Sequence, residues 1–184
     1  MKPEVVDING RWSVFFPSEL KGVGKVFFDS LYSWHTSEIF DVKFFSGTAT
    51  YEKEFTVPEN TDMTGTKAEL DLGLVRDIAH IYINGKDVGI SWVKPNVIDV
   101  SGFIHKGVNE LRVDVANTWH NRLCGDARLP ESGRITRTNL TRLPNAWAYP
   151  MEKIPFKEKG ESYGLQESGL LGPVKITFTE KMEL

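Results

Sequence analysis

Apolar and polar residues alternate along much of this chain. In TATYEKEFTV (48–57), Ala49, Tyr51, Phe55 and Val57 fall on one side, while Thr48, Thr50, Glu52, Glu54 and Thr56 fall on the other. A period of two puts successive side chains on opposite faces, so the stretch predicts a strand with one face buried. The pattern returns in ELRVDV (110–115), with Leu111, Val113 and Val115 opposite Arg112 and Asp114, and in PVKITFT (173–179), with Val174, Ile176 and Phe178 opposite Lys175 and Thr177. Further strands read at GRWSVFF, KAELDL, IAHIYI, DVGISW and NVIDV. The breaks between them hold Gly, Pro, Asn or Asp, as in PENTDMTG and SGFIHKGVN, and no ten-residue stretch keeps a helical stripe. Asn84-Gly85 separates two apolar runs and predicts a type I′ hairpin, whose two central residues both need positive φ. The fold these elements predict is all-β: an antiparallel β-sandwich of the jelly-roll kind, with the alternating apolar residues inside.

One interval departs from the pattern. Residues 121–172 show little alternation and hold Pro130, Pro144, Pro150 and Pro155, with Trp147, Tyr149 and Tyr163 interspersed. Such a stretch far exceeds the usual connection of about 4–6 residues. Its aromatic content argues for order, so it reads as one long ordered loop laid over an end or edge of the sandwich, where binding residues tend to sit.

Composition narrows the picture. At 184 residues, 40% hydrophobic and 26% charged, the chain is long enough for a real core and short enough to be a single domain over residues 1–184. A net charge of −3 with scattered Lys and Arg supplies no basic field, which excludes nucleic acid as a partner. No run reaches bilayer length, and MKPEVVDING carries acids where a signal peptide is basic and then apolar, so neither a membrane partner nor a leader is expected. Cys124 stands alone and reads as a small buried hydrophobe.

Catalytic patterns find no foothold. Nothing fixes a pair of carboxylates at the separation glycoside hydrolysis needs, and no Gly-x-Ser-x-Gly elbow occurs. His35, His80, His105 and His120 lack ligand spacing, so no metal site and no cofactor are expected. Asn139 in NLT matches a glycosylation acceptor, which is weak by itself.

Three stretches taken together carry a resemblance. IYINGKDVGISW, VIDVSGFIHKGVNELRVDVANTW and SGLLGPVKI resemble the sugar-binding β-sandwich domain of family 2 glycoside hydrolases. FFSGTATYEKEF, NTWHNRLCGDARLP and SGLLGPV are similar, more narrowly, to the carboxy-terminal region of family 106 α-L-rhamnosidases. The resemblance implies a galactose-binding-domain-like jelly roll that accompanies a much larger catalytic chain. It also implies a periplasmic or extracellular setting, carbohydrate of plant or host type as partner, and the parent's catalytic domain as neighbour. A basic residue matching Lys53 occurs in these families, which implies a paired or snorkelling structural role for it.

Candidate contacts follow from residue type. Trp119 and His120 end an alternating strand, and Asn121, Arg122, Asp126 and Arg128 open the long interval, so they are expected at one rim. Sugars meet aromatic faces and planar amide, guanidinium or carboxylate groups, which these residues supply. The same set also suits an internal ion-pair and hydrogen-bond network that pins the loop with Trp119 as a buried anchor, and loops of this length need such partners. Trp92 with Lys94, and Trp34 with His35, are further candidates for that end, though a Trp ending a strand also serves as a core or edge plug. Two functions remain open: a non-catalytic carbohydrate-binding or substrate-rim accessory domain of a glycoside hydrolase, or a structural domain that docks onto catalytic modules without touching sugar. An independent hydrolase has almost no support in the sequence.

Overall fold

The computed structural model describes residues 4–20, 22–136 and 164–180. Two antiparallel sheets face one another. The first has four strands: β1 (Glu4–Asp7), β12 (Lys175–Glu180), β5 (Thr66–Asp71) and β9 (Val97–Asp99), in that order. The second has six: β3 (Gly24–Phe28), β2 (Trp12–Phe16), β4 (Thr48–Val57), β10 (Gly107–Ala116), β7 (Ile78–Ile83) and β8 (Lys86–Ser91). A small ribbon of β6 (Leu74–Arg76) and β11 (Gly169–Gly172) accompanies them. Two short helices, α1 (Phe40–Lys43) and α2 (His120–Asp126), interrupt the all-β pattern.

Alternation decides which faces meet. Ala49, Tyr51, Phe55, Leu111, Val113, Val115, Val174, Ile176 and Phe178 are all buried, as their shared parity requires. Lys53 has the same parity, yet it is only partly buried and its Nζ donates to the Arg11 carbonyl at 2.8 Å at the surface. This is the snorkelling geometry of a structural lysine.

At the β7–β8 turn Asn84 has φ 51° and Gly85 φ 73°, the pair of positive values a type I′ hairpin demands. The Asn84 side chain adds a second tie: Nδ2 donates to Phe103 O and Asn109 Oδ1, and Oδ1 accepts from Glu110 N. The hairpin is thereby fastened to β10 as well as to its own strand partner.

Four strands lie outside the sequence reading. β1 and β3 are short elements at sheet edges without clear alternation, and β6 and β11 pair only with each other. The interval 121–172 starts as helix α2 and ends as strand β11. Its middle, with Asn139, Pro144, Trp147, Tyr149, Pro150, Pro155 and Tyr163, lies outside the described residues.

Candidate functional site

The register of the six-stranded sheet brings two of the predicted aromatic residues to one end. Val115 pairs with Ala79, and Ala79 pairs with Ser91, so β10 and β8 both finish there. Trp92 follows β8 directly and is 72% exposed, and Trp119, three residues past β10, is 49% exposed. Lys94 is exposed on the same turn as Trp92. These large, stiff side chains are available to a ligand or a neighbouring domain.

Behind Trp119 the chain is tied down. Asn117 accepts from Gly47 N and donates to Phe45 O, which stops β10 and directs the backbone into α2. Asn121 is buried; its Nδ2 donates to Gln166 O at 2.8 Å, and its Oδ1 accepts from Gln166 N at 2.8 Å. His120 Nε2 lies 2.8 Å from Gly164 O. The returning segment is held from the other side by Ser33, whose Oγ donates to Ser168 O and accepts from Ser168 N. Asn121 and His120 therefore bind the chain's own backbone.

Arg122 and Asp126 go further into the interior. Arg122 is 1% exposed, with Nε 3.1 Å from Asp126 Oδ1, Nη1 4.0 Å from Asp41, and the guanidinium carbon 6.0 Å from the Phe40 ring. None of its three side-chain nitrogens makes an aligned hydrogen bond. Asp126 is wholly buried, and Oδ2 accepts from Ile135 N, Thr136 N and Thr136 Oγ1 at 3.1, 2.7 and 2.6 Å. The carboxylate thus organises residues 134–136, and Arg134 Nε adds a bond to the Asp126 carbonyl. Arg128 stacks over Phe44 at 5.1 Å and donates to the Cys124 carbonyl. The structure places this polar set in an internal network, where burial leaves Asn121, Arg122 and Asp126 no surface to present.

Trp34 is corrected outright as a rim residue. It is 0% exposed, packed edge-on against Phe16 and Phe45, with Nε1 donating to the Tyr51 hydroxyl. An apolar indole with a satisfied N–H is most stable in the core, and nearby β11 closes over it. His35 sits beside Ser33, Nδ1 2.6 Å from its Oγ, and burial lowers its pKa from the ordinary value. Burial pushes the Cys124 thiol up, which keeps it protonated and unreactive. Among the described residues no group of three or more His, Cys, Asp or Glu is placed to hold a metal ion, and no helix is long and apolar enough to cross a membrane.

The sequence reading missed the partners Ser46, Gln166 and Ser168. Each lies more than forty residues from the α2 residue it holds, and a lone Ser or Gln carries no local signal of that role.

Residues 28–146 match the family described as glycosyl hydrolase 2 galactose-binding domain-like. A Formosa agariphila protein provisionally named a beta-glucuronidase is 41% identical over 181 residues, covering 95% of this chain and 16% of its own length. The solved rhamnosidase from Novosphingobium sp. PP1Y superposes with a TM-score of 0.78 at 32% identity, over 97% of this chain and 15% of that one. The beta-D-glucuronidase of Dictyoglomus thermophilum shares the fold, with a TM-score of 0.62 at 19% identity over 97% of this chain and 28% of its own. The chain thus spans about one sixth of the curated relative and of the rhamnosidase.

Proposed function

The chain belongs to the galactose-binding-domain-like family of glycosyl hydrolase 2, and from that membership we propose a non-catalytic accessory domain of a longer glycoside hydrolase, rhamnosidase-like in its parent. Residues 1–184 act as one unit beside the parent's catalytic domain and contribute carbohydrate contact at the substrate rim. The observation that carries this reading is that exposed Trp92 and Trp119 leave the six-stranded sheet at the same end, Trp119 at the start of the tethered helix α2. Exposed indoles offer flat apolar faces to sugar C–H surfaces, and the tether at Trp119 limits the entropy lost on binding. A glycan ligand of plant or host type fits a periplasmic or extracellular setting.

The experiment is a kinetic comparison in the full-length parent. Trp92→Ala/Trp119→Ala is expected to raise KM for an oligosaccharide by about tenfold while leaving kcat close to wild type, the signature of lost uniform binding. The chain alone is expected to turn over neither aryl rhamnosides nor aryl glucuronides. Turnover by the chain alone, or wild-type kinetics in the double variant, refutes the reading.

A second reading has its own observation. Ile90, Val93 and Val97 are exposed around Trp92, an apolar surface of the kind domains bury against each other. Under this docking reading, Trp92→Ala loosens the parent's cooperative melting and leaves KM alone.

A further inference from the structure

The outward face of the six-stranded sheet holds a groove of about 770 Å³, a volume within the range of small-ligand sites. Phe27, Ser13, Glu52, Arg112 and Tyr82 pair successively across β3, β2, β4, β10 and β7, so they form one row on this face. In the next row Glu54 stands directly opposite Glu110. The groove lies toward the Asn84-Gly85 hairpin, whereas Trp92 and Trp119 leave the sheet at its other end.

Three features of the lining call for a ligand. Both aromatic ends are braced by guanidinium groups, Arg11 4.2 Å from the Phe27 ring centre and Arg112 4.9 Å from that of Tyr82. Glu54 and Glu110 have no ion-pair partner among the described residues, because the nearby cations are engaged elsewhere. Lys53 donates to Arg11 O, Lys106 to Glu59 O, and Arg112 to both oxygens of Asp114. Like charges directly opposite on a sheet are unfavourable, so this pair weakens the bare fold. Finally, Ser13 Oγ is shielded from solvent without a hydrogen-bond partner.

We propose that this groove is a binding subsite for a neutral oligosaccharide. Its charged lining balances, with Arg11, Lys53 and Arg112 against Glu52, Glu54 and Glu110. Sugar hydroxyls suit such a surface because each both donates and accepts: they donate to the unpaired carboxylates and accept from guanidinium N–H groups. A polyanionic glycan would meet the unpaired carboxylates of Glu54 and Glu110 across a lining that carries no excess of positive charge. The inference rests on the carbohydrate-associated reading above and adds a second contact surface, separate from the Trp92–Trp119 end.

The test is calorimetric titration of the intact chain with cellotetraose, xylotetraose, mannotetraose and, as the anionic counterpart, tetragalacturonate. At least one neutral sugar is expected to bind with Kd at or below about 1 mM, and tetragalacturonate more weakly. Glu54→Gln/Glu110→Gln and, separately, Tyr82→Ala are each expected to weaken binding by about tenfold or more. The double Gln variant removes a repulsion and is expected to melt no lower than wild type, so its loss of affinity cannot come from unfolding. Neutral-sugar binding that survives the groove variants and vanishes in Trp92→Ala overturns the groove while leaving the rim reading intact. Tighter binding of tetragalacturonate overturns the neutral class. If none of the four sugars binds at about 5 mM, the groove is refuted. The accessory-domain reading then stands or falls on the parent's kinetics alone.

Discussion

The Asn121 side chain and the Gln166 backbone pair as two strands would, N–H to O and O to N, both at 2.8 Å. A helix residue thereby supplies the ladder that the returning segment needs before it enters β11. Asn121→Leu removes both bonds to the part-buried Gln166 backbone. At about 0.5–1.5 kcal/mol net per hydrogen bond, a loss of roughly 1–3 kcal/mol is expected in urea unfolding. A change within about 0.5 kcal/mol would show that the segment holds itself.

Asp126 tests whether the α2 network holds the fold or touches substrate. Asp126→Ala deletes three hydrogen bonds to residues 135 and 136 and strands the Arg122 charge in the interior. A loss of about 3–5 kcal/mol is expected. Arg122→Met is expected to cost less, since the guanidinium makes no aligned bond and Asp126 keeps its three donors. Thermal melts of the two variants decide the order. Equal stability with impaired parent turnover would instead assign Asp126 to substrate.

Gly169 and Gly85 both have positive φ, 97° and 73°, but their surroundings differ. A Cβ on Gly169 would lie 2.4 Å from Trp34 Nε1 and 2.7 Å from the Tyr51 hydroxyl, whereas one on Gly85 would meet nothing within 4 Å. Gly85→Ala is therefore expected to cost only backbone strain, about 1–2 kcal/mol. Gly169→Ala adds overpacking of about 1–3 kcal/mol to a similar strain. Denaturant midpoints in that order check the account, and equal midpoints refute it.

Tyr51 sets an alkaline limit. Burial pushes its phenol well above the ordinary value, against the opposing effect of the Leu170 N–H and Trp34 Nε1 donors. A folded pKa above the unfolded one gives a contribution fully present below about pH 10 and lost as pH rises beyond it. Melting temperature is expected to fall above about pH 10, with the last tyrosinate absorbance appearing only on unfolding. All five tyrosines ionising together in the native state would contradict this.

The chain's own periodicity determined the sandwich. Alternation in β4, broken only at Lys53, and in β10 and β12 assigns side chains to faces whatever the strand's neighbours are, so the core residues Tyr51, Val113 and Ile176 were legible in advance. The Asn84-Gly85 turn was equally legible, because its positive φ values are a local requirement. Strands β1 (EVVD) and β3 (GKVFF) were not, because both are short and set like apolar residues side by side, whereas the edge strands β8 and β9 carried enough apolar pattern and turn signal to be read. Trp34 and Trp92 make the limit plain: the same residue type, each offered as a rim aromatic, is 0% exposed in one case and 72% in the other. Asn121, Arg122 and Asp126 carry the polar character of a surface cluster, yet segments 33–46 and 164–168 converge on their helix from distant parts of the chain. Burial of a polar side chain depends on partners that only the folded chain brings within hydrogen-bond reach, so the tertiary structure alone decided which of these residues hold the fold and which face outward.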